Sequence, residues 1–199
     1  MTRLISLLIA AISFVGTIGN AATAEYERDF LEKRCGGRKA CENELAVPVS
    51  EPDILTFAEQ FVIQKYTESN RIEDETIMLD AASKIPVSEL TAYRGGSQSW
   101  AGIKSKGEVI TISRITSISA DQTVAENFVK DQLLIFHTRS AHSIAKYSVT
   151  GEQELLLLPG VRFQVSDISY EKIDLSYGEG EEASGGPKLI RVVELTEFR

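Results

Sequence analysis

The sequence predicts an α+β fold, with helices first and short strands after. Up to Pro86, apolar residues recur at helical spacing. From Glu89 onward the chain breaks into short runs rich in β-branched residues, separated by turn residues. Size and composition agree with one ordinary domain: 199 residues, 43% hydrophobic and 25% charged, are enough to bury a sizeable core. The sequence shows no internal repeat and no sign of a second domain.

At the amino terminus, Arg3 is the only charge before an apolar run from Leu4 to Val15, and small residues follow up to Ala22-Thr23-Ala24. This is the three-part pattern of a secretory signal peptide, residues 1–24, with the cut expected after Ala24. A retained anchor is the alternative, but the run is short and broken by Gly16, Gly19 and Asn20. Residues 25–199 are then a single mature domain, secreted or periplasmic, with no membrane span. Losing Arg3 with the leader takes the formal net charge from −8 to −9. An acidic chain argues against nucleic acid or an anionic membrane as the default partner. Cys35 and Cys41 bracket five residues, and in an exported chain such a pair reads as a local disulfide, with two free thiols as the alternative. A metal site is not expected, because His137 and His142 lie far from both cysteines in sequence.

Ser50-Glu51-Pro52-Asp53 reads as a helix start capped at Ser50, continuing through Ile54, Phe57, Ala58, Phe61 and Val62 to about Tyr66. A second helix is expected over Glu73 to Ser83. Strands are expected over Leu90 to Arg94, Glu108 to Ile115, Leu133 to Thr138, Ile144 to Ser148 and Leu189 to Leu195. Ser119-Ala120-Asp121-Gln122 has the pattern of a capping box, opening a helix through Val124, Ala125, Phe128 and Val129. Tyr177 to Pro187 is glycine-rich and acidic and reads as an exposed loop. Between them, Gly151 to Val165 reads as a hairpin: four leucines suited to a strand buried on both faces, a Pro159-Gly160 turn, then a second strand. In a strand, Glu152 and Glu154 at its lip would share a face, about 7 Å apart. Such a pair calls for a cationic partner or a cationic transition state.

Three pieces stand out together. Tyr93-Arg94-Gly95-Gly96 puts an arginine at a strand end beside glycines that let a ligand approach the backbone. Thr116-Ser117-Ile118-Ser119 puts hydroxyls where a strand hands over to a helix, and Glu152-Gln153-Glu154 follows. This order resembles the arginine–serine–glutamate class of mono-ADP-ribosyltransferases, from Tyr93 to Val165. The helix with Phe128 and the Leu-Leu-Pro-Gly tail after the glutamates add to the likeness. Ile118 departs from it, since threonine is usual there.

The resemblance implies a two-sheet β-core of the ADP-ribosyltransferase type, NAD as co-substrate and no metal. It implies that Arg94, with Gly95 beside it, meets the NAD pyrophosphate through paired charge-assisted hydrogen bonds. Ser117 would brace the active-site glutamate or the nicotinamide ribose. Phe128 would stack on nicotinamide, although its spacing from Val124 equally suits a core residue. Cleavage of the nicotinamide–ribose bond passes through a cation-like sugar. Glu154 would bind the ribose 2′-hydroxyl and stabilise that cation. Glu152 would orient an incoming guanidinium, which points to arginine side chains of a protein as acceptor. Tyr147 would sit among acceptor-recognition residues, whereas His137 and His142 carry no role. A toxin or effector is the biological role implied, and any delivery or immunity partner is unspecified. The alternatives are a secreted NAD glycohydrolase on the same scaffold and a non-catalytic exported binding protein.

Overall fold

Thr23 caps the first helix, α1 (Ala24–Cys35), its hydroxyl accepting from the Tyr26 amide. The computed structural model describes residues 23–49, 51–174 and 187–198. Residues 1–22 of the expected signal peptide, the expected cap Ser50 and the expected loop over 177–186 lie outside the described residues. The expected cut after Ala24 falls one residue into α1 and would remove its cap. Gly36 and Gly37, with φ of +79° and +108°, reverse the chain into α2 (Arg38–Glu42). Cys35 and Cys41 are bridged across this reversal, with Cα atoms 5.4 Å apart.

The next helix, α3 (Phe57–Ser69), starts later than its expected cap. Thr56 and Glu59 form a reciprocal capping box there. Asp53 is already committed to Lys146, Tyr147 and the Leu55 amide, so it does not cap, and Ile54 points outward at 59% exposure. Phe57, Phe61, Val62, Ile63 and Tyr66 of α3 pack with Leu31 of α1. The same cluster takes in Ile77, Met78, Ala81 and Ala82 of α4 (Glu75–Lys84). Glu27, Glu59 and Asp80 bring carboxylate oxygens within 4.8 Å of one another among these helices. The Lys84 ammonium pairs with Glu59 at 2.5 Å and Asp80 at 3.1 Å. Burial, followed by these acidic neighbours, pushes the Glu27 carboxyl up, against a hydrogen bond with Thr56.

Seven strands follow: β1 (Val87–Gly96), β2 (Val109–Thr111), β3 (Thr116–Ser119), β4 (Gln132–Ser143), β5 (Glu154–Leu157), β6 (Arg162–Ile173) and β7 (Lys188–Glu197). They form one hydrogen-bonded network in the order β1-β3-β5-β4-β7-β6-β2, with a further long pairing of β1 on β4. The two expected sheets are therefore joined through β1 and β4. Every pairing is antiparallel except β4 with β7. Helix α5 (Gln122–Glu126) links β3 to β4.

The four leucines divide between two cores. Leu156 faces the helical cluster, while Leu155 and Leu157 join Phe136, Phe163 and Leu195. The expected hairpin does not form, because both edges of β5 are taken by β3 and β4. Beyond the Pro159-Gly160 turn, β6 pairs instead with β2 and β7. Two further expected strands are altered. Only Val109–Thr111 of the Glu108–Ile115 stretch is strand, since the Ile112 amide then bonds to Val161 in the turn. Ala145–Tyr147 is a 3-10 turn, because Tyr147 folds into the helical core beside Ile144.

Gly95 marks the closest approach between helix and sheet. A Cβ there would lie 2.1 Å from the Ala125 carbonyl oxygen and 2.6 Å from the Val129 nitrogen, whereas one at Gly96 would meet nothing within 4 Å. Backbone cannot swing away as a side chain does. Gly95→Ala is therefore expected to cost about 3 kcal/mol, and Gly96→Ala no more than about 0.5 kcal/mol. Denaturant unfolding of both variants checks this. Equal losses would contradict the packing role given to Gly95.

Candidate active site

One cleft, roughly 540 Å³ in volume, gathers residues from five parts of the chain. β1 brings Arg94, Gly95 and Gly96 to its floor, β3 brings Ser117, and β5 with the loop before it brings Glu154 and Glu152. Phe128 stands at the rim. All six residues assigned from sequence thus line the same cleft.

The pairing of β3 with β5 sets the central contact. Ser119 lies opposite Glu154 and Ser117 opposite Leu156, so Ser117 and Glu154 are diagonal neighbours on one face. The Ser117 hydroxyl donates to Glu154 Oε1 at 2.5 Å. From β1, Arg94 Nη1 donates to the Ser117 backbone carbonyl, and its guanidinium lies 6.0 Å from the Trp100 ring centroid. Ser117 is therefore held by the arginine through its carbonyl and holds the glutamate through its hydroxyl.

Burial dominates the electrostatics. It pushes the Glu154 carboxyl above the ordinary glutamate value. The hydrogen bond from Ser117 opposes this rise, Glu152 adds to it, and Arg94 lowers it again. Burial likewise holds the Arg94 guanidinium below its usual value, while Tyr66 and Glu154 pull it up and Arg114 pushes it further down. An arginine remains a cation at neutral pH in any such setting. The cleft thus offers a fixed positive fork for an anion and a partly desolvated carboxylate for a developing cation.

Several expected positions shift in detail. Glu152 precedes β5 rather than lying in it, so the two carboxylates do not stand on a common strand, and Glu152 is exposed while Glu154 is half-buried. Gly95 lines the cleft but has no room for a side chain against residues 125–129, whereas Gly96 has open space at its Cβ position. Helix α5 ends at Glu126, which puts Phe128 outside the helix and outside the core, 62% exposed at the cleft mouth. Ser119 does not cap α5. Asp121 does, accepting from the Thr123 amide, while the Ser119 hydroxyl accepts from the Asp121 amide. Tyr147 is 6% exposed, with its hydroxyl bonded to Asp53, so it does not face an acceptor. His142 is buried against the Ile85 carbonyl, and His137 lies on the sheet surface near Thr91 and Glu194.

Helix α3 contributes residues that the motifs did not indicate. Tyr66, Thr67 and Asn70 line the cleft, and Lys130 and Thr150 complete its walls. Burial raises the Tyr66 hydroxyl, and the charge of Glu154 raises it further, while Ser117 and Arg94 lower it. Tyr66 is an aromatic with a polar tip at the end of an apolar helix face, which is its one sequence signal.

A family model for NAD:arginine ADP-ribosyltransferase matches residues 77–176. That span contains Arg94, Ser117, Phe128, Glu152 and Glu154. No curated protein sequence matches the chain. Exoenzyme S from Pseudomonas aeruginosa, solved with human 14-3-3 protein beta and carba-NAD, aligns with a TM-score of 0.63 at 17% identity, covering 87% of this chain and 88% of that one. The type III effector XopAI from Xanthomonas axonopodis pv. citri, without its first 70 residues, gives 0.59 at 15% identity over 91% of each chain. The present chain spans 64% of a longer form of XopAI. The ADP-ribosyltransferase Vis from Vibrio splendidus, in complex with agmatine, gives 0.53 at 16% identity, covering 89% and 86%. At such identities the three structures speak for a shared fold, while the sequence match speaks for kinship. The strand-end arginine, the serine and the two glutamates fall within that match, and the chain belongs to the NAD:arginine ADP-ribosyltransferase family.

Proposed function

We propose that the chain transfers ADP-ribose from NAD to arginine side chains of a target protein, releasing nicotinamide. The observation that carries this reading is the Arg94–Ser117–Glu154 arrangement in one cleft, with Glu152 at its exposed lip. Arg94 takes the pyrophosphate, since a guanidinium fork matches paired phosphate oxygens. Phe128, exposed at the mouth, offers its ring to nicotinamide. Glu154 binds the ribose 2′-hydroxyl and stabilises the oxocarbenium ion as the glycosidic bond breaks. Ser117 holds that carboxylate in place and favours its charged form. Glu152, outside the strand and in contact with solvent, receives the acceptor guanidinium and assists loss of its proton. No metal enters this scheme.

We also propose that residues 25–199 form one exported catalytic domain acting as a toxin or effector. The leader pattern and the bridged Cys35–Cys41 pair support export. No helix among the described residues is long and apolar enough to cross a membrane. The exposure of Glu152 favours one second reading, NAD hydrolysis with water as acceptor.

Two substitutions test the enzymatic reading, and the one at Glu152 separates transfer from hydrolysis. Glu154→Gln is expected to slow nicotinamide release by about 10²–10³-fold. Glu152→Gln is expected to cut arginine modification by about 10²-fold or more while leaving NAD cleavage within a few-fold. Both are read with labelled NAD and a guanidinium acceptor. Arginine transfer that survives Glu152→Gln would remove Glu152 from the acceptor step.

The pH dependence of nicotinamide release carries a sign for each neighbour. The working form of Glu154 is the carboxylate, so the acid limb is expected above the ordinary glutamate range. Ser117→Ala removes a donor that favours the charged form, so the limb moves to higher pH. Glu152→Gln removes a nearby negative charge, so it moves to lower pH. Shifts in the same direction would sink the assignment of the limb to Glu154.

A further inference from the structure

The loop that carries Glu152 is anchored outside the cleft. Asp53, just before α3, has a side chain only 1% exposed. Its carboxylate accepts from the Tyr147 hydroxyl at 2.7 Å and the Leu55 amide at 3.0 Å, and it pairs with the Lys146 ammonium. Lys146, then Tyr147, hold the Asp53 carboxyl down at about 2. Its charge is therefore present above the ordinary aspartate range and lost only as pH falls toward that value, well below the acid limb expected for Glu154.

This clamp fixes one end of a short span. The Ile144 amide donates to the Glu154 carbonyl at 3.0 Å, closing the base of the loop. The Val149 amide reaches Thr67 Oγ1 at 3.3 Å. Between Val149 and β5, the Thr150 amide donates to Ser148 Oγ at 3.3 Å, Gly151 has φ +71°, and the Gln153 carbonyl accepts from the Ala120 amide at 3.0 Å. Among the described residues no hydrogen bond or ion pair fixes the Glu152 carboxylate, so its place is set through the backbone, from the Val149 side by the clamped span and from the Gln153 side by the Ala120 amide. Glu154, by contrast, is held by the β3–β5 ladder and by Ser117.

We propose that Asp53 is a positioning residue for the acceptor step: by clamping Lys146 and Tyr147 it sets where the loop delivers Glu152, and so sets the ratio of arginine transfer to NAD hydrolysis. This rests on the reading that Glu152 receives the acceptor. Cleavage of the nicotinamide–ribose bond at Glu154 proceeds without the clamp, because none of its residues enters the ladder that holds Glu154.

The test uses the full chain with NAD, in the presence and absence of agmatine as a small guanidinium acceptor. Nicotinamide release and agmatine adduct are both measured. Asp53→Ala is expected to lower the transfer-to-hydrolysis ratio about tenfold or more, as misplacement of a reacting group does, with hydrolysis unchanged. Tyr147→Phe and Lys146→Met each remove one donor from the clamp, leave the acid in place, and are expected to lower the ratio by less. They also serve if Asp53→Ala does not fold, which thermal unfolding reveals. A ratio unchanged in folded variants overturns the proposal. So does a parallel fall in both activities, which is the mark of a merely structural residue. A wild-type chain that releases nicotinamide but makes no adduct overturns the arginine reading and this one together. A wild-type chain that does neither overturns the enzymatic reading before any variant is made.

Discussion

The hydroxyl of Ser117 on the carboxylate of Glu154 is the contact around which the site is arranged. A half-buried carboxylate is costly unless a donor and a nearby cation favour its charge. Here the donor comes from the neighbouring strand and the cation from the strand beyond. Arg94 grips the carbonyl of the same serine whose hydroxyl grips the glutamate. The arrangement needs β1, β3 and β5 in one register, since a slip of one residue would turn Ser117 and Glu154 to opposite faces. The fold therefore serves the site chiefly by fixing register.

The burial of β5 secures that register. Leu155, Leu156 and Leu157 are all buried, and they feed cores on opposite faces of the strand. A strand sandwiched between the helical layer and the sheet core, with a partner on each edge, has no free direction in which to slide. The helices also close the cleft from the other side, where Tyr66 and Thr67 of α3 and Asn70 just after it form its wall.

Much of this is legible in the sequence where the signal is local. The leucine run announces a doubly buried strand, and the order of arginine, serine and glutamates brings the six site residues to one cleft. Pairing is not legible, because it depends on which edges are already taken. The Pro159-Gly160 turn is real, yet the strands flanking it have other partners. Caps escape the sequence where a nearby acid is engaged elsewhere or competes for the same amides. Asp53 serves Lys146 and Tyr147, and Asp121 rather than Ser119 opens α5. Tyr66 lies 28 residues before Arg94 in the chain and meets the site only through tertiary packing. Phe128 suits a core by helical spacing, but α5 ends two residues before it and leaves the ring in water.

The boundary of β5 falls between the two glutamates. Glu154 is the first residue of the strand and Glu152 lies outside it. On the proposed roles, bond cleavage is built into the sheet, while choice of acceptor hangs on a surface loop. Loops tolerate substitution and insertion far better than buried strands do. A lineage could thus exchange one acceptor for another by redrawing a few loop residues, and keep the costly half of the enzyme untouched.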